Sequence, residues 1–481
     1  MPDPILQALS STVFLVKREL RMELVEAQHL ALTLLILKHA SDVSTKLGPL
    51  LENSALEEQD LYLPTEYWWD IRDSSEEIVA SLDRALENLW DGGTDLKRAL
   101  AQNRLSRLFD RSSGRYLLID VVNLFRNLDC AEAETLRTPV RTFMELSPDG
   151  MNHVLAVTPP DINRLLAALV DPSPRTRVYD PAAGVGNTLL AYAELAMERE
   201  PERSREDLSI SAVEIDPLTA AVAKLSLWLC GYPSANVVVK DALTESDLRD
   251  EQRPRRFDRI VSDISPTSNW AAERSHPSDP SYPYGIPSAS RAAYAFIQHM
   301  ITRLSDQGRM CVLITPSSLS SQGADHRIRS RLVEDGWIEA IVLLAPRLQF
   351  GFSLPLVALV ISEQAARGRR SPITLVDASK VFTHGRSRNA LNDTQIEIIV
   401  NAVRGHDVAE HEAVIHYATF EEIRSNDYDL APQRYLAART REFPDFESSN
   451  QNLAAIVQRR AYHEEQFQES IEALLQVRWT E

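Results

Sequence analysis

Three cysteines in 481 residues, Cys130, Cys230 and Cys311, are too few and too far apart for a disulfide framework or a cysteine-based zinc site. Each lies in or at the end of an apolar stretch, as small structural residues do. The chain has no run of roughly 18 or more apolar residues, so no membrane helix is expected. Its start, Met1-Pro2-Asp3 with Lys17, Arg18 and Glu19 soon after, lacks the basic opening, apolar centre and small-residue cleavage site of a secretory signal. A reducing cytoplasm is the expected location. Positive charge is also scarce: 51 Lys and Arg stand against 69 Asp and Glu, a net charge of −18. A free-standing DNA reader normally carries a basic face that neutralises phosphates. An acidic chain can act on DNA when a partner supplies most of the grip; otherwise the acidity only keeps the protein soluble. Neither Gly-x-x-x-x-Gly-Lys-Ser/Thr nor Gly-x-Gly-x-x-Gly is present, so a phosphate-binding loop and a typical dinucleotide fingerprint are excluded. There is no internal repeat and no low-complexity segment.

The length suits two or three domains, and 44% hydrophobic with 25% charged residues is an ordinary globular composition. Residues 1–150 read as a helical domain. Apolar residues recur at helical spacing over Leu24–Ala40, Glu76–Trp90 and Tyr116–Leu128, while Gly92-Gly93 and Ser112-Ser113-Gly114 mark loops. After Gly150 the pattern changes. Thr158-Pro159-Pro160-Asp161 opens a helix through Leu169, with Pro and Asp favouring its first turn. Short β-branched runs then alternate with helices. Strands are expected around Val178-Tyr179, Ile210–Val213, Val237–Val239, Arg259–Val261, Met310–Ile314, Trp337–Leu344 and Leu356–Ile361. Helices are expected over Thr188–Arg199, Pro217–Cys230 and Ala292–Leu304. This alternation implies an α/β fold with a parallel sheet covered on both faces. A less regular region is expected after about Phe382, and a polar helix over Asn450–Arg478.

The chemistry-bearing residues fall at successive strand ends. Asp180-Pro181-Ala182-Ala183-Gly184-Val185-Gly186-Asn187 joins the first strand to a helix, and such a turn lets a ligand approach the backbone near a helix N-terminus. A tight turn without a ligand explains the same glycines. Glu214, at the tip of the second strand, is placed to take both hydroxyls of a ribose. A helix cap is its other reading, for which Asp216 is the better candidate. Asp241, after the third strand, stands where an adenine amine could bind, or is a plain loop carboxylate. The three sites in order suggest a nucleoside cofactor.

These motifs resemble the methylation subunits of type I restriction-modification systems, an N6-adenine DNA methyltransferase family. The likeness includes Val213-Glu214-Ile215-Asp216-Pro217, Tyr284-Gly285-Ile286-Pro287, Ala293–Met300, Gly308-Arg309-Met310, Leu344-Ala345-Pro346 through Pro355, Val376–Lys380 and Asn426-Asp427-Tyr428-Asp429-Leu430. With Trp69-Asp70-Ile71-Arg72-Asp73 in the helical region, it spans roughly residues 20–440. The resemblance implies a class I S-adenosylmethionine (SAM)-dependent methyltransferase sheet, Rossmann-like, at 151–440. It follows an N-terminal helical domain at 1–150 and precedes a C-terminal helical tail at 441–481 suited to docking a partner. It implies SAM held by Thr158, Pro159, Asp180, Ala182, Gly184, Gly186, Glu214, Ile215 and Asp241. No metal site is implied. Partners would be DNA, read through a separate specificity subunit, with room for a restriction subunit and for a pair of such methylation subunits in one complex. The expected setting is a bacterial cytoplasm.

Family members end the fourth strand in Asn-Pro-Pro-Phe/Tyr, whose acceptors localise the lone pair of the adenine amine and whose ring stacks on the flipped base. Here the same place reads Asp263-Ile264-Ser265-Pro266. Asp263 can still accept a hydrogen bond but adds a charge. Ile264 and Ser265 lack the fixed φ of proline, and no aromatic residue follows. Loss of one base stack costs about 1–3 kcal/mol. The family's Phe-Tyr-Thr-Pro is also reduced to Ala156-Val157-Thr158-Pro159. Three functions therefore remain open: a DNA adenine methyltransferase subunit acting through Asp263, an impaired relative serving as scaffold or SAM and DNA sensor in a restriction or anti-phage complex, or methylation of another substrate such as protein or RNA.

Overall fold

The computed structural model describes residues 3–47, 75–88, 98–102, 105–109, 112–145, 158–243, 249–250, 253–264, 282–289, 291–349, 352–367, 371–406, 408 and 413–436. The Gly92-Gly93 loop, Trp69–Asp73, Ala156-Val157, Ser265, Pro266 and the helix expected at Asn450–Arg478 lie outside the described residues. The chain divides into two compact units, Met1–Pro432 and Gln433–Glu481. The proposed C-terminal tail belongs to the second.

The N-terminal helices are α1 (Pro4–Leu20), α2 (Leu24–Leu47), α3 (Ser75–Asn88), α4 (Ser112–Arg126) and α5 (Ala133–Glu145). Asp3 caps α1 by accepting from the amides of Ile5 and Leu6. Pro4 occupies the first turn, where its missing N–H costs nothing. Helix α2 runs about two turns beyond the expected end at Ala40, to Leu47. Ser41-Asp42 does not stop it: Asp42 pairs with Lys38 four residues back and accepts from the Cys130 amide at 2.8 Å, and Lys46 pairs with Asp129. Ser112-Ser113-Gly114, expected as a loop, forms the first turn of α4. A side chain at Gly114 would meet the Phe109 backbone at 3.4 Å, so glycine serves close packing there rather than a turn. Leu30 to Leu37 along α2 is almost wholly buried, against α1 and α4 on one side and a helix of the sheet region on another. The expected boundary at residue 150 therefore falls within undescribed residues, between elements that share one core.

The main sheet has nine strands: β1 (Arg177–Asp180), β2 (Ser209–Glu214), β3 (Asn236–Val239), β4 (Phe257–Asp263), β5 (Leu304–Ile314), β6 (Ile338–Leu343), β7 (Val357–Ser362), β8 (Ile373–Asp377) and β9 (Val414–Ala418). Their order is β3-β2-β1-β4-β5-β7-β6-β8-β9. Strands β7 and β9 run antiparallel to their neighbours and the other pairs are parallel. All seven expected strands are present. The sheet does not end with them, however: β8 and β9 extend it. The region after Phe382 is also more regular than expected, since it carries β9 and the helix Asp393–Val403. Strand β9 lies at the sheet edge, with Val414, Ile415 and His416 half-buried, Tyr417 exposed and Ala418 buried.

The helices of this region used below are α6 (Pro160–Leu169), α7 (Asn187–Arg199), α8 (Pro217–Leu229), α9 (Ala293–Ile301), α10 (Ala324–Glu334) and α11 (Asp393–Val403). Helix α8 carries the contact to α2. Among the described residues no helix is long and apolar enough to cross a membrane. Cys130, Cys230 and Cys311 are buried free thiols, each pushed up to about 12 by burial, which keeps them protonated and inert.

Candidate active site at the tips of the first and fourth strands

The chain winds from β1 to β2 and β3 in one direction, then returns to place β4 on the other side of β1. The reversal opens a crevice at the carboxyl ends of β1 and β4, where ligands of open α/β sheets bind. Register pairs Val178 with Arg259 and Tyr179 with Ile260, so the two tips lie side by side.

At the β1 tip, Asp180 is only 1% exposed. Its Oδ1 accepts from the Ala182 amide at 2.9 Å and from the Ser262 hydroxyl of β4 at 2.8 Å. One carboxylate thus shapes the glycine turn and locks it to the neighbouring strand. Gly184 and Gly186 have φ of 55° and 87°, a region L side chains rarely adopt. A Cβ at Gly184 would meet nothing within 4 Å, so the turn faces open space. A Cβ at Gly186 would meet Ala223 at 3.3 Å, so this glycine lets α7 and α8 approach.

At the β2 tip, Glu214 accepts from the Gly184 amide at 2.9 Å through one oxygen and from the Asp216 amide at 3.0 Å through the other. Asp216 takes the capping role expected of it, accepting from the Thr219 amide at 2.7 Å. Ile215 is 66% exposed, an apolar side chain held in the open beside Glu214. At the β3 tip, Asp241 accepts from the Leu243 amide at 3.0 Å.

At the β4 tip, Asp263 is half-buried. Its Oδ2 accepts from the Thr158 hydroxyl at 2.6 Å and from the Gln349 amide nitrogen at 2.7 Å. Its Oδ1 has no hydrogen-bond partner among the described residues. Ile264 is buried at 5% exposure. Thr158, read from sequence as a cofactor residue, is thus in direct contact with the carboxylate. Pro159 starts α6, and its carbonyl accepts from the Asn163 amide. Asn163 is buried and holds the Thr158 carbonyl at 2.9 Å, and its oxygen accepts from the Thr188 hydroxyl of α7 at 2.8 Å. Sequence reasoning did not find Ser262, Asn163 or Gln349. Gln349 lies 86 residues from Asp263 in a loop after β6, and no local pattern could join them.

Burial pushes the Asp180 carboxyl up to about 7, with the charges of Glu214 and Asp263 adding to the rise. Burial also lifts Asp263 to about 6, against its two hydrogen-bond donors. Each pKa lies above the unfolded value of about 4, so the native state binds these protons more tightly than the unfolded chain. Their contribution to stability is present below pH 4 and is lost as pH rises through about 6 to 7. Asp180→Asn keeps an oxygen for Ala182 and Ser262 but never ionises. It should unfold at a higher temperature than the parent at pH 8, with the gap closing toward pH 5 in matched thermal melts. A lower melting temperature at pH 8 would show that the ionised carboxylate itself holds the turn.

A cleft of about 890 Å³ lined by His39, Arg137, Glu194, Arg205 and Trp228 lies elsewhere, by the segments that lead into β2 and β3. It contains none of these tip residues.

The N-6 DNA Methylase family model matches residues 155–443. The MjaVIII type I restriction enzyme methylase subunit of Methanocaldococcus jannaschii is 24% identical over 404 residues, covering 81% of this chain and 67% of that protein. The HindI type I restriction enzyme methylase subunit of Haemophilus influenzae is 25% identical over 324 residues, covering 66% of this chain and 70% of its own. Among solved structures, the type I restriction-modification methyltransferase subunit of Streptococcus thermophilus superposes with a TM-score of 0.74 at 20% identity, over 90% of this chain and 98% of that one. A modification subunit of a type I restriction enzyme from Vibrio vulnificus gives 0.63 at 19% identity, over 88% and 94%. The fold, with its nine-stranded sheet, is that of the Streptococcus thermophilus methyltransferase subunit. The chain belongs to the N-6 DNA methylase family.

Proposed function

We propose that the protein is the methylating subunit of a type I restriction-modification complex and transfers a methyl group from SAM to the N6 amine of adenine in DNA. The observation that carries this reading is the state of Asp263, half-buried at the β4 tip: one oxygen is fixed by Thr158 and Gln349, and the other has no partner among the described residues. The adenine amine is a poor nucleophile because its lone pair is delocalised into the ring. An oriented acceptor that takes an amine hydrogen returns electron density to the nitrogen. The Ile264 carbonyl, next in the chain, is the second acceptor in this reading.

The crevice fits the cofactor. Gly184 has open space where a Cβ would project, Glu214 is held by two amides at the β2 tip, and exposed Ile215 offers an apolar cover for a purine ring. SAM, when bound, supplies an electrophilic methyl group. Asp180 shapes the turn, Glu214 and Asp241 take the nucleoside, and Asp263 orients the target amine. The acidic chain leaves sequence recognition to a specificity subunit, with residues 441–481 as the docking tail and 1–150 as the helical domain. The full chain should transfer labelled methyl from SAM to duplex DNA when its specificity subunit is present. SAM binding without any transfer to DNA would sink the reading.

The buried Ile264 in place of the family's proline favours a second reading, an impaired methyltransferase that serves as scaffold or sensor. Asp263 already has its two donors, so the loop after it is the part to restore. Ile264→Pro, Ser265→Pro and Pro266→Phe together should raise transfer by roughly 5- to 150-fold, the worth of one recovered base stack. No gain over the parent in the same assay would show that the loop does not limit activity.

A further inference from the structure

We infer that residues 378–392, together with Arg347, form a basic arm that grips the DNA phosphate backbone beside the catalytic crevice. The chain as a whole carries a charge of −18, yet this stretch holds Lys380, His384, Arg386 and Arg388 and no Asp or Glu. It folds back on itself through paired bonds between Thr383 and Ala390. Lys380, His384, Arg386 and Arg347 are exposed. Among the described residues, Lys380, Arg386 and Arg347 make no ion pair with an acid. Arg388 differs. It is turned inward on Asp161 in a two-point contact at 2.8 Å, and it fastens the arm to the first turn of α6.

The arm is also fastened to the loop that serves Asp263. Asn389 donates to the carbonyls of Pro346 and Arg347, each at 2.8 Å. Arg388 reaches the Leu348 carbonyl at 3.3 Å, and Arg347 reaches the Arg386 carbonyl at 3.3 Å. Two residues beyond Arg347, Gln349 holds Asp263. These bonds fix the arm's place relative to the reacting carboxylate; Lys380 and Arg386 stay exposed, and Arg347 holds the Arg386 carbonyl from an exposed position. An acidic protein must meet phosphate where its local field is reversed, and a base drawn into the crevice brings its flanking phosphates to the rim. Phosphate contacts position the nucleic acid without reading its sequence, which suits a subunit whose recognition lies elsewhere.

The proposal rests on the reading that the protein acts on DNA, and the test separates the two. The full chain, assembled with its specificity subunit, is titrated with a 30-base-pair duplex from 25 to 200 mM NaCl by fluorescence anisotropy, and with SAM by calorimetry. The variant Arg347→Gln, Lys380→Gln, Arg386→Gln is compared with Arg18→Gln, Arg126→Gln, Arg175→Gln, which removes the same charge from exposed sites elsewhere. The expected result is a salt slope shallower by about 2–3 in the arm variant, and affinity near 0.1 M salt lower by about 100-fold or more. The control triple should change little, and SAM affinity should stay at the parent value in both. Equal losses in the two triples would overturn the arm and leave a general charge effect. Parent binding that persists unchanged in the arm variant would overturn the arm alone. A parent that does not bind the duplex at any of these salts would overturn both the arm and the action on DNA.

Discussion

Asp263→Ala lowers the rate of methyl transfer by about 100- to 1,000-fold, the loss seen when one preorganised acceptor or donor is removed from a reacting centre. The substitution deletes the oxygen offered to the amine and leaves the Thr158 hydroxyl and the Gln349 amide without their acceptor. SAM affinity changes little, because Glu214, Gly184 and Asp241 lie on other strand tips. The rate measured against pH should fall as pH drops through about 6, since only the ionised carboxylate accepts on both oxygens. Gln349→Leu removes a donor that favours the charged form, so the acid limb should move to higher pH. The geometry also accounts for Asp where relatives carry Asn. Two donors converge on one oxygen, and an asparagine oriented to accept from both would turn its NH2 toward the target. Asp263→Asn is therefore impaired, and adding Gln349→Glu, which can accept from that NH2, restores part of the rate. An Asp263→Ala protein with parental activity would remove Asp263 from the mechanism.

Arg329→Met costs about 3 kcal/mol or more of stability, because it strands several buried carbonyls at once. Arg329 on α10 is fully buried. Its guanidinium donates to the carbonyls of Tyr428 at 2.7 Å, Ser321 at 2.9 Å and Ser318 at 3.3 Å. Ser318 and Ser321 follow the end of β5, and Tyr428 lies in Asn426–Leu430. There Asp427 and Tyr428 both have φ of 53°, a strained conformation for side chains other than glycine. The strand tip and this late segment are joined again by the Leu430 amide on the Leu319 carbonyl, and Tyr428 and Arg424 both reach Glu334. Urea unfolding should show a lower midpoint for Arg329→Met. A change under about 1 kcal/mol would mean that the late segment contributes little to the fold.

The parts of the fold that could be read from sequence are those where one local rule decides. The β-branched runs gave seven strands, Asp216 capped its helix as its position beside Pro217 suggested, and the glycine turn fell between β1 and α7. Local rules failed where tertiary contact overrode them. Ser112-Ser113-Gly114 became helix because Gly114 packs on Phe109, and α2 continued past Ser41-Asp42 where Asp42 accepts from the Cys130 amide and Lys46 pairs with Asp129. Strand β9 was missed because an edge strand needs apolar residues on one face only. Within the site, the acids at successive strand ends were legible one by one. Their mutual bonds were not: Ser262 to Asp180, Gln349 to Asp263 and Arg388 to Asp161 each join segments far apart in sequence. The motif Asn426–Leu430 was legible as a likeness only, and its backbone role under Arg329 needed coordinates.

Methyladenine mapped across native genomic DNA from cells that carry or lack the gene shows whether this chain methylates adenine in DNA. The account predicts one sequence motif whose methylation disappears on deletion, returns with the parent gene and does not return with Asp263→Ala. An unchanged map, with the protein expressed, would contradict it and leave the scaffold or sensor reading in its place.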